Sequence, residues 1–493
     1  MDLVNVGPVN PSLVASKPSS IRNVMIQKRE TVKSINDEIA QLVETKSRLE
    51  SDLDSLRATL GFYNHNALPN EILSRIFILV AQIFGPVVFP IFKTKFPPQL
   101  AIMHVCSHWR KVALRTSELW SNTSLDLKVQ TAMEQPHDLL RLHERWLLRA
   151  GNFPVILSVQ FSEPSCYGGI ADVLRVMLFP LNVKRLHLDL KYGKFVELPE
   201  TILSDSAELD LCLTFHQSDM DVNVNNPHPL ITRIRSITLR GSTFDVWLDK
   251  LSTSFPWGQL RSMDISKLNI PNLQLVINIL RQMPVLQALQ LRIAKESHVQ
   301  DALEGVTMPS LLDFHLEVGI NRRNGEALDG ILRIFACHSL TKFTLITSAY
   351  WTSGTCEVLG QQYNMQRLQE VQFFGHMVLP VSFVLQKAPM LRVLSVRLGA
   401  ILDDQAIMGI SDGTLGRCLR RLKLAIKCNV AEVLSMVEAR KQTADELIKN
   451  GCTWKEEITA LTDVEISIDE DNPRQYKERV NTLKKAGIII TFV

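Results

Sequence analysis

Residues 286–291 read Leu286-Gln-Ala-Leu289-Gln-Leu291, and residues 311–316 read Leu311-Leu-Asp-Phe314-His-Leu316. Both follow the pattern apolar-x-x-apolar-x-apolar. Its second half alternates, as a short strand with one buried face must, because successive strand side chains point to opposite sides. Working outward, the same pattern recurs at Val183/Leu186/Leu188, Ile234/Ile237/Leu239, Leu260/Met263/Ile265 and Leu340/Phe343/Leu345. It continues at Leu368/Val371/Phe373, Leu391/Leu394/Val396, Leu419/Leu422/Leu424 and Leu461/Val464/Ile466, with a partial copy at Leu209/Leu211/Leu213. The middle positions lie about 23 to 29 residues apart, the spacing of a leucine-rich repeat, except for a longer last interval. That interval holds a longer predicted helix over 430–450.

A single repeat cannot bury its apolar face alone, so copies must stack into a continuous core. The expected fold is α/β: an irregular leucine-rich-repeat solenoid (horseshoe) over 181–493. The pattern's second and third apolar residues enter the core. His187, Thr238, Asp264, Gln290, His315, Thr344, Gln372, Ser395 and Lys423 face the concave side. Helices such as 273–280 and 328–335 return along the other side, and Pro284, Pro309 and Pro389 mark where they stop before the next strand. Residues 487–493 read as an edge strand in a C-terminal cap.

Residues 1–24 carry Pro, Ser, Asn and Val without a period and read as a disordered arm. A heptad helix is expected over 25–60. Ile35, Leu42, Leu49 and Leu56 form one row, and Val32, Ile39, Leu53 and Leu60 a second, with Lys46 interrupting the second row. The seam needs a partner, either a second copy in a short coiled coil or the chain's own next segment.

Composition bounds the function. The chain has 493 residues, is 46% hydrophobic and 21% charged, and carries a net charge of +3, the balance of an ordinary globular protein with no bias toward nucleic acid. No C-x-x-C occurs among the eight cysteines, and no histidine pair stands near them at zinc-ligand spacing. The phosphate-loop, dinucleotide, zincin and nucleophile-elbow motifs are all missing. The expectation is therefore no catalytic residue, no cofactor and no metal. The apolar run Ile76–Phe92 is at the short limit for a membrane span and contains Pro86 and Pro90, so no membrane span is expected. With no secretory signal, the compartment is expected to be intracellular, cytoplasmic or nuclear.

Residues 61–128 read as a small all-helical module with an insertion at 81–99, and 129–180 as a connector. The module carries Leu68-Pro69-Asn70-Glu71-Ile72-Leu73, Ile76-Phe77, then Val105-Cys106-Ser107-His108-Trp109-Arg110, Val112-Ala113 and Leu119-Trp120. This set resembles an F-box, in the variant common in large fungal families, where a heptad helix precedes the box and irregular leucine-rich repeats follow. The insertion is longer than a compact box carries.

The resemblance implies a non-catalytic substrate receptor of a cullin–RING ubiquitin ligase, serving ubiquitin-dependent degradation. The box docks on a Skp-type adaptor, and the repeats hold a protein target. Leu68, Pro69, Ile72, Leu73 and Ile76 would face the adaptor. Val105, Cys106, Trp109, Val112 and Trp120 would divide between that interface and packing of the module. The alternative is a repeat scaffold whose box is structural and binds no ligase.

Overall fold

A computed structural model describes residues 18–59, 68–89, 96–126, 136–160, 174, 182–191, 207–214, 229–241, 255–268, 273–293, 304–319, 325–375, 380–397, 402–425, 429–449, 458–466 and 473–492. The expected arm lies largely outside them. The chain divides into two compact units, residues 1–76 and 77–493, each taken by itself.

The first unit contains the long helix α1 (Pro18–Thr59). Its Pro stands at the first turn, where a missing N–H leaves nothing unpaired. Its exposed sides carry i,i+4 pairs, Arg48 to Glu44 at 3.5 Å and Lys46 to Glu50 at 3.8 Å. Helix α2 (Asn70–Phe84) begins where the Pro69 carbonyl accepts from the N–H groups of Ile72 and Leu73, each at 3.1 Å. It ends at Gly85, whose φ of 77° a side chain would resist. The division between units falls within this helix.

The second unit is built on a parallel sheet of fifteen strands. They are β1 (Val87–Phe89), β2 (Asn122–Asp126), β3 (Val155–Gln160), β4 (Val183–Lys191), β5 (Glu208–Thr214), β6 (Ile234–Gly241), β7 (Ser262–Leu268) and β8 (Ala288–Ile293). A separate two-stranded ladder pairs β9 (Val306–Thr307) with β11 (Phe335–Ala336). The large sheet continues through β10 (Asp313–Val318), β12 (Lys342–Thr347), β13 (Glu370–Gly375), β14 (Val393–Arg397), β15 (Arg421–Ala425), β16 (Asp463–Ile466) and β17 (Ile489–Phe492).

From β7 on, the ladder keeps one register. Met263, Leu289, Phe314, Phe343, Val371, Leu394, Leu422 and Val464 stand in one row and are fully buried. Ile265, Leu291, Leu316, Leu345, Phe373, Val396, Leu424 and Ile466 form the next row, equally buried. The turn before each strand hands its carbonyl to the next turn: Gln287 O to Leu312 N, Leu312 O to Thr341 N, and Thr341 O to Gln369 N, at 2.8–2.9 Å. The rows and this chain of bonds make each repeat the template for its neighbour. Phe343 joins two aromatic neighbours, Phe314 tilted at 5.8 Å and Phe373 edge-on at 6.1 Å between ring centroids.

Crossovers carry α6 (Leu273–Leu280), α7 (Gly325–Ile334), α8 (Ser353–Gln362), α9 (Val381–Lys387), α10 (Asp404–Asp412) and α11 (Val430–Lys449). The last of these fills the long interval between repeats. Helix α12 (Lys477–Lys485) leads into β17. Among the described residues before β7, a 3₁₀ turn spans Trp257–Gln259.

Three features differ from the sequence reading. The sheet does not start at 181. Part of the 81–99 insertion is β1, paired parallel with β2, and the 129–180 connector contributes helix α5 (Pro136–Leu147) and β3. β2 departs from the repeat signature because it buries Thr123 in the row where β3 and β4 bury Leu157 and Leu186, while Ser124 takes the polar position of His187. The helical stretch over 99–114 is two helices, α3 (Pro98–Val105) and α4 (Ser107–Arg115), broken at an extended Cys106. The partial copy in β5 serves two registers. Leu209 and Leu211 match Leu186 and Leu188 on one side, whereas Leu211 and Leu213 match Ile237 and Leu239 on the other. A bulge at Leu209/Asp210 makes the shift, which returns alternate residues to the same face.

Candidate protein-docking surface

Helix α2 is apolar on two faces. Leu73, Phe77 and Ile78 are buried. Ile72, Ile76, Leu79 and Ile83 recur three and four residues apart, so they share the opposite side of the helix, and all are exposed. Leu68 at the helix entry is 38% exposed, Ile72 49%, Ile76 39% and Ile83 80%. An aqueous helix normally turns one apolar stripe inward and covers the other with charge. A second exposed apolar stripe of this length makes this side of the helix a candidate docking surface.

The remaining module residues are mostly structural. Phe77 packs on Trp109 with ring centroids 5.1 Å apart. Cys106 caps α4: its Sγ accepts from the Trp109 N–H at 3.4 Å. Trp120 is wholly buried and donates through Nε1 to the Ala113 carbonyl at 2.9 Å. Trp146 meets Trp120 edge-on at 4.8 Å, and the Arg149 guanidinium lies 4.7 Å over the Trp120 ring.

Of the residues the sequence pointed to, Leu68, Pro69, Ile72, Ile76 and Val105 are exposed. Cys106 and Trp109 are half-buried, and Leu73, Val112 and Trp120 are buried. Leu73, expected to face the adaptor, is buried and has no surface to offer, whereas Val112 and Trp120, expected to divide between interface and packing, are both buried. Leu79, Ile83 and Phe84 were missed. Their helical spacing from Ile76 is a visible signal, and the reading of 81–99 as an insertion hides it for Ile83 and Phe84 but not for Leu79.

The second surface is the polar face of the sheet. Asp264, Gln290, His315, Thr344, Gln372, Ser395, Lys423 and Glu465 follow one another across it in register. Charges there are paired between strands: Arg185 with Asp210 at 3.2 Å, Arg240 with Asp189 at 3.3 Å, Arg292 with Glu317 at 3.2 Å and Lys423 with Glu465 at 2.7 Å. Burial among neighbouring strands raises the Asp210 and Asp313 carboxyls and lowers the His187 and His315 imidazoles, each partly offset by adjacent opposite charge. Cys212 in this region is pushed up to about 12 by burial, with Asp189 adding to the effect, so it is held as a thiol at neutral pH. This face presents hydrogen-bonding groups and paired charges.

Among the described residues, no group of three or more His, Cys, Asp or Glu could hold a metal ion, and no helix is long and apolar enough to cross a membrane.

No family model matches the chain, and no curated protein matches it. Among solved structures, a protein from Bacteroides fragilis aligns at 13% identity over 60% of this chain and 76% of its own, with a TM-score of 0.32. A TLR13–ssRNA13 complex aligns at 12% identity over 73% of this chain and 49% of that one, with a TM-score of 0.30. Its own ladder defines the class of this protein: an α/β chain with a long parallel sheet assembled from repeating strand units.

Proposed function

We propose that this chain is a non-catalytic substrate receptor. Its α2 segment docks on a Skp-type adaptor of a cullin–RING ubiquitin ligase, and the polar face of its sheet holds a protein target. The observation that carries the reading is the exposed stripe Leu68, Ile72, Ile76, Leu79 and Ile83, which includes three of the five residues the F-box resemblance would turn toward the adaptor, Leu68, Ile72 and Ile76. Within the second unit, the described strand of the insertion, Val87–Phe89, is hydrogen-bonded to β2. Catalysis by proximity needs only that the receptor hold its target beside a subunit supplied by other chains.

The test is a pull-down of a purified Skp-type adaptor by the full chain and by Leu68→Asp/Ile72→Asp, with circular dichroism as a folding control. Binding by the native chain that a folded double variant loses supports the receptor. Failure of the native chain to bind sinks it.

A second reading, a scaffold that binds no ligase, draws on Leu73, Val112 and Trp120. All three are buried in packing, and β1 ties the box region to the sheet. Under it, the Leu68/Ile72 variant behaves as the native chain in every adaptor assay.

A further inference from the structure

Among its described side chains, helix α1 exposes its apolar seam: Met25, Val32, Ile35, Ile39, Leu42, Leu49 and Leu53 are each about half exposed or more. Placing Ile35, Leu42 and Leu49 at heptad position d puts Val32, Ile39 and Leu53 at a. Two lysines then enter the seam, Lys28 at d and Lys46 at a. The charges of the helix are segregated along its length. Its first part bears Arg22, Lys28, Arg29 and Lys33 against Glu30. Its second bears Asp37, Glu38, Glu44, Glu50, Asp52 and Asp54 against Lys46, Arg48 and Arg57, and remains net acidic.

We propose that α1 pairs antiparallel with α1 of a second copy of this chain, crossing between Ile39 and Leu42. Parallel pairing would set Lys28 against Lys28 and Lys46 against Lys46, and would lay the acidic parts side by side. Antiparallel pairing about that crossing point makes each a position meet a d position of the other copy. Ile39 meets Leu42, Val32 meets Leu49, Lys46 meets Ile35 and Lys28 meets Leu53, so no lysine faces a lysine. Each long lysine stem lies along an apolar neighbour while its ammonium reaches solvent. The basic part of each helix then lies on the acidic part of the other, with Arg29 flanking Glu50. Like charges across a seam cost stability and opposite ones select orientation. The same helix thus has an apolar seam that needs a partner and a charge pattern that its own reverse complements. This inference is independent of the adaptor reading.

The experiment uses the full chain. Sedimentation equilibrium is expected to give twice the chain mass at micromolar concentration. Ile39→Asp/Leu42→Asp is expected to weaken association by at least about 100-fold, since four buried apolar side chains per dimer are replaced by charge. Orientation is read by mixing Ile35→Cys chains with Lys46→Cys chains under mild oxidation. A crosslinked dimer in the mixture, with none in either variant alone beyond the native background, is the expected result. A monomeric native chain, a dimer indifferent to Ile39→Asp/Leu42→Asp, or crosslinking of Ile35→Cys with itself would each overturn the proposal.

Discussion

Nη2 of Arg440 donates to the Gly416 carbonyl at 2.7 Å from a side chain with no solvent exposure. The same guanidinium reaches the carbonyls of Arg417 at 2.9 Å, Thr459 at 3.0 Å and Ile410 at 3.1 Å. Burial lowers its pKa to about 10, which leaves it charged at neutral pH. One residue of α11 therefore satisfies the turn that ends α10, where Gly413 and Gly416 take positive φ, together with the approach to β16. Arg440→Met is expected to cost about 3–5 kcal/mol, because it strands several buried carbonyls at once. Arg440→Lys should recover little of this, since an ammonium has three donors and no planar fork. Urea unfolding followed by circular dichroism measures both.

His143 on α5 lies with Nε2 3.1 Å from the Thr123 Oγ1 of β2, and edge-on to Phe89 of β1 at 4.9 Å. Desolvation lowers its pKa from 6.5 to about 4. The unfolded chain therefore takes up a proton at a pH where the folded one refuses it. Stability is lost as pH falls from about 6.5 to 4, by up to about 3 kcal/mol, and levels off below that. Thermal unfolding of native chain and His143→Gln at pH 7 and pH 4.5 should show a smaller drop in the variant. Equal drops would remove His143 as the cause.

Ile76 and Phe77 are neighbours on α2 with opposite fates, one exposed and one buried on Trp109. Phe77→Ala is expected to cost about 3–5 kcal/mol through the cavity it leaves. Ile76→Glu should change stability by less than about 0.5 kcal/mol while abolishing adaptor binding under the proposed function. Thermal melts beside the pull-down separate the two.

Asp329 of α7 organises the start of α8. Its Oδ2 accepts from the Thr352 Oγ1 at 2.6 Å and its Oδ1 from the Thr355 hydroxyl, while Thr352 and Thr355 form a reciprocal capping box. Asp329→Ala removes the acceptor shared by both hydroxyls and is expected to cost about 2–3 kcal/mol. Hydrogen exchange should report that loss as faster exchange at the N-terminal turn of α8, with the distant β16 unaffected.

The repeat pattern specified most of the sheet. A leucine at the fourth position of the pattern, such as Leu289, has only one way to be buried in a stacked array, so spacing alone located Phe314, Phe343, Leu394 and Leu422 in one row. The helical periodicity of Leu68, Ile72 and Ile76 likewise made an apolar face legible. Periodicity could not divide that face into the side that packs, Leu73 and Phe77, and the side left open, since both are equally apolar.

By itself, then, the sequence determined what is periodic: a parallel α/β ladder, a heptad helix and an amphipathic α2. These follow from local geometry and the need to bury apolar rows. Only the tertiary structure decided what depends on partners distant in the chain. It recruited β1 to β3 to the sheet through backbone bonds that need no leucine signature, and shifted register at β5. It placed Arg440 against carbonyls some twenty to thirty residues away. Backbone pairing and buried polar contacts join groups whose separation has no period, so no pattern along the chain announces them.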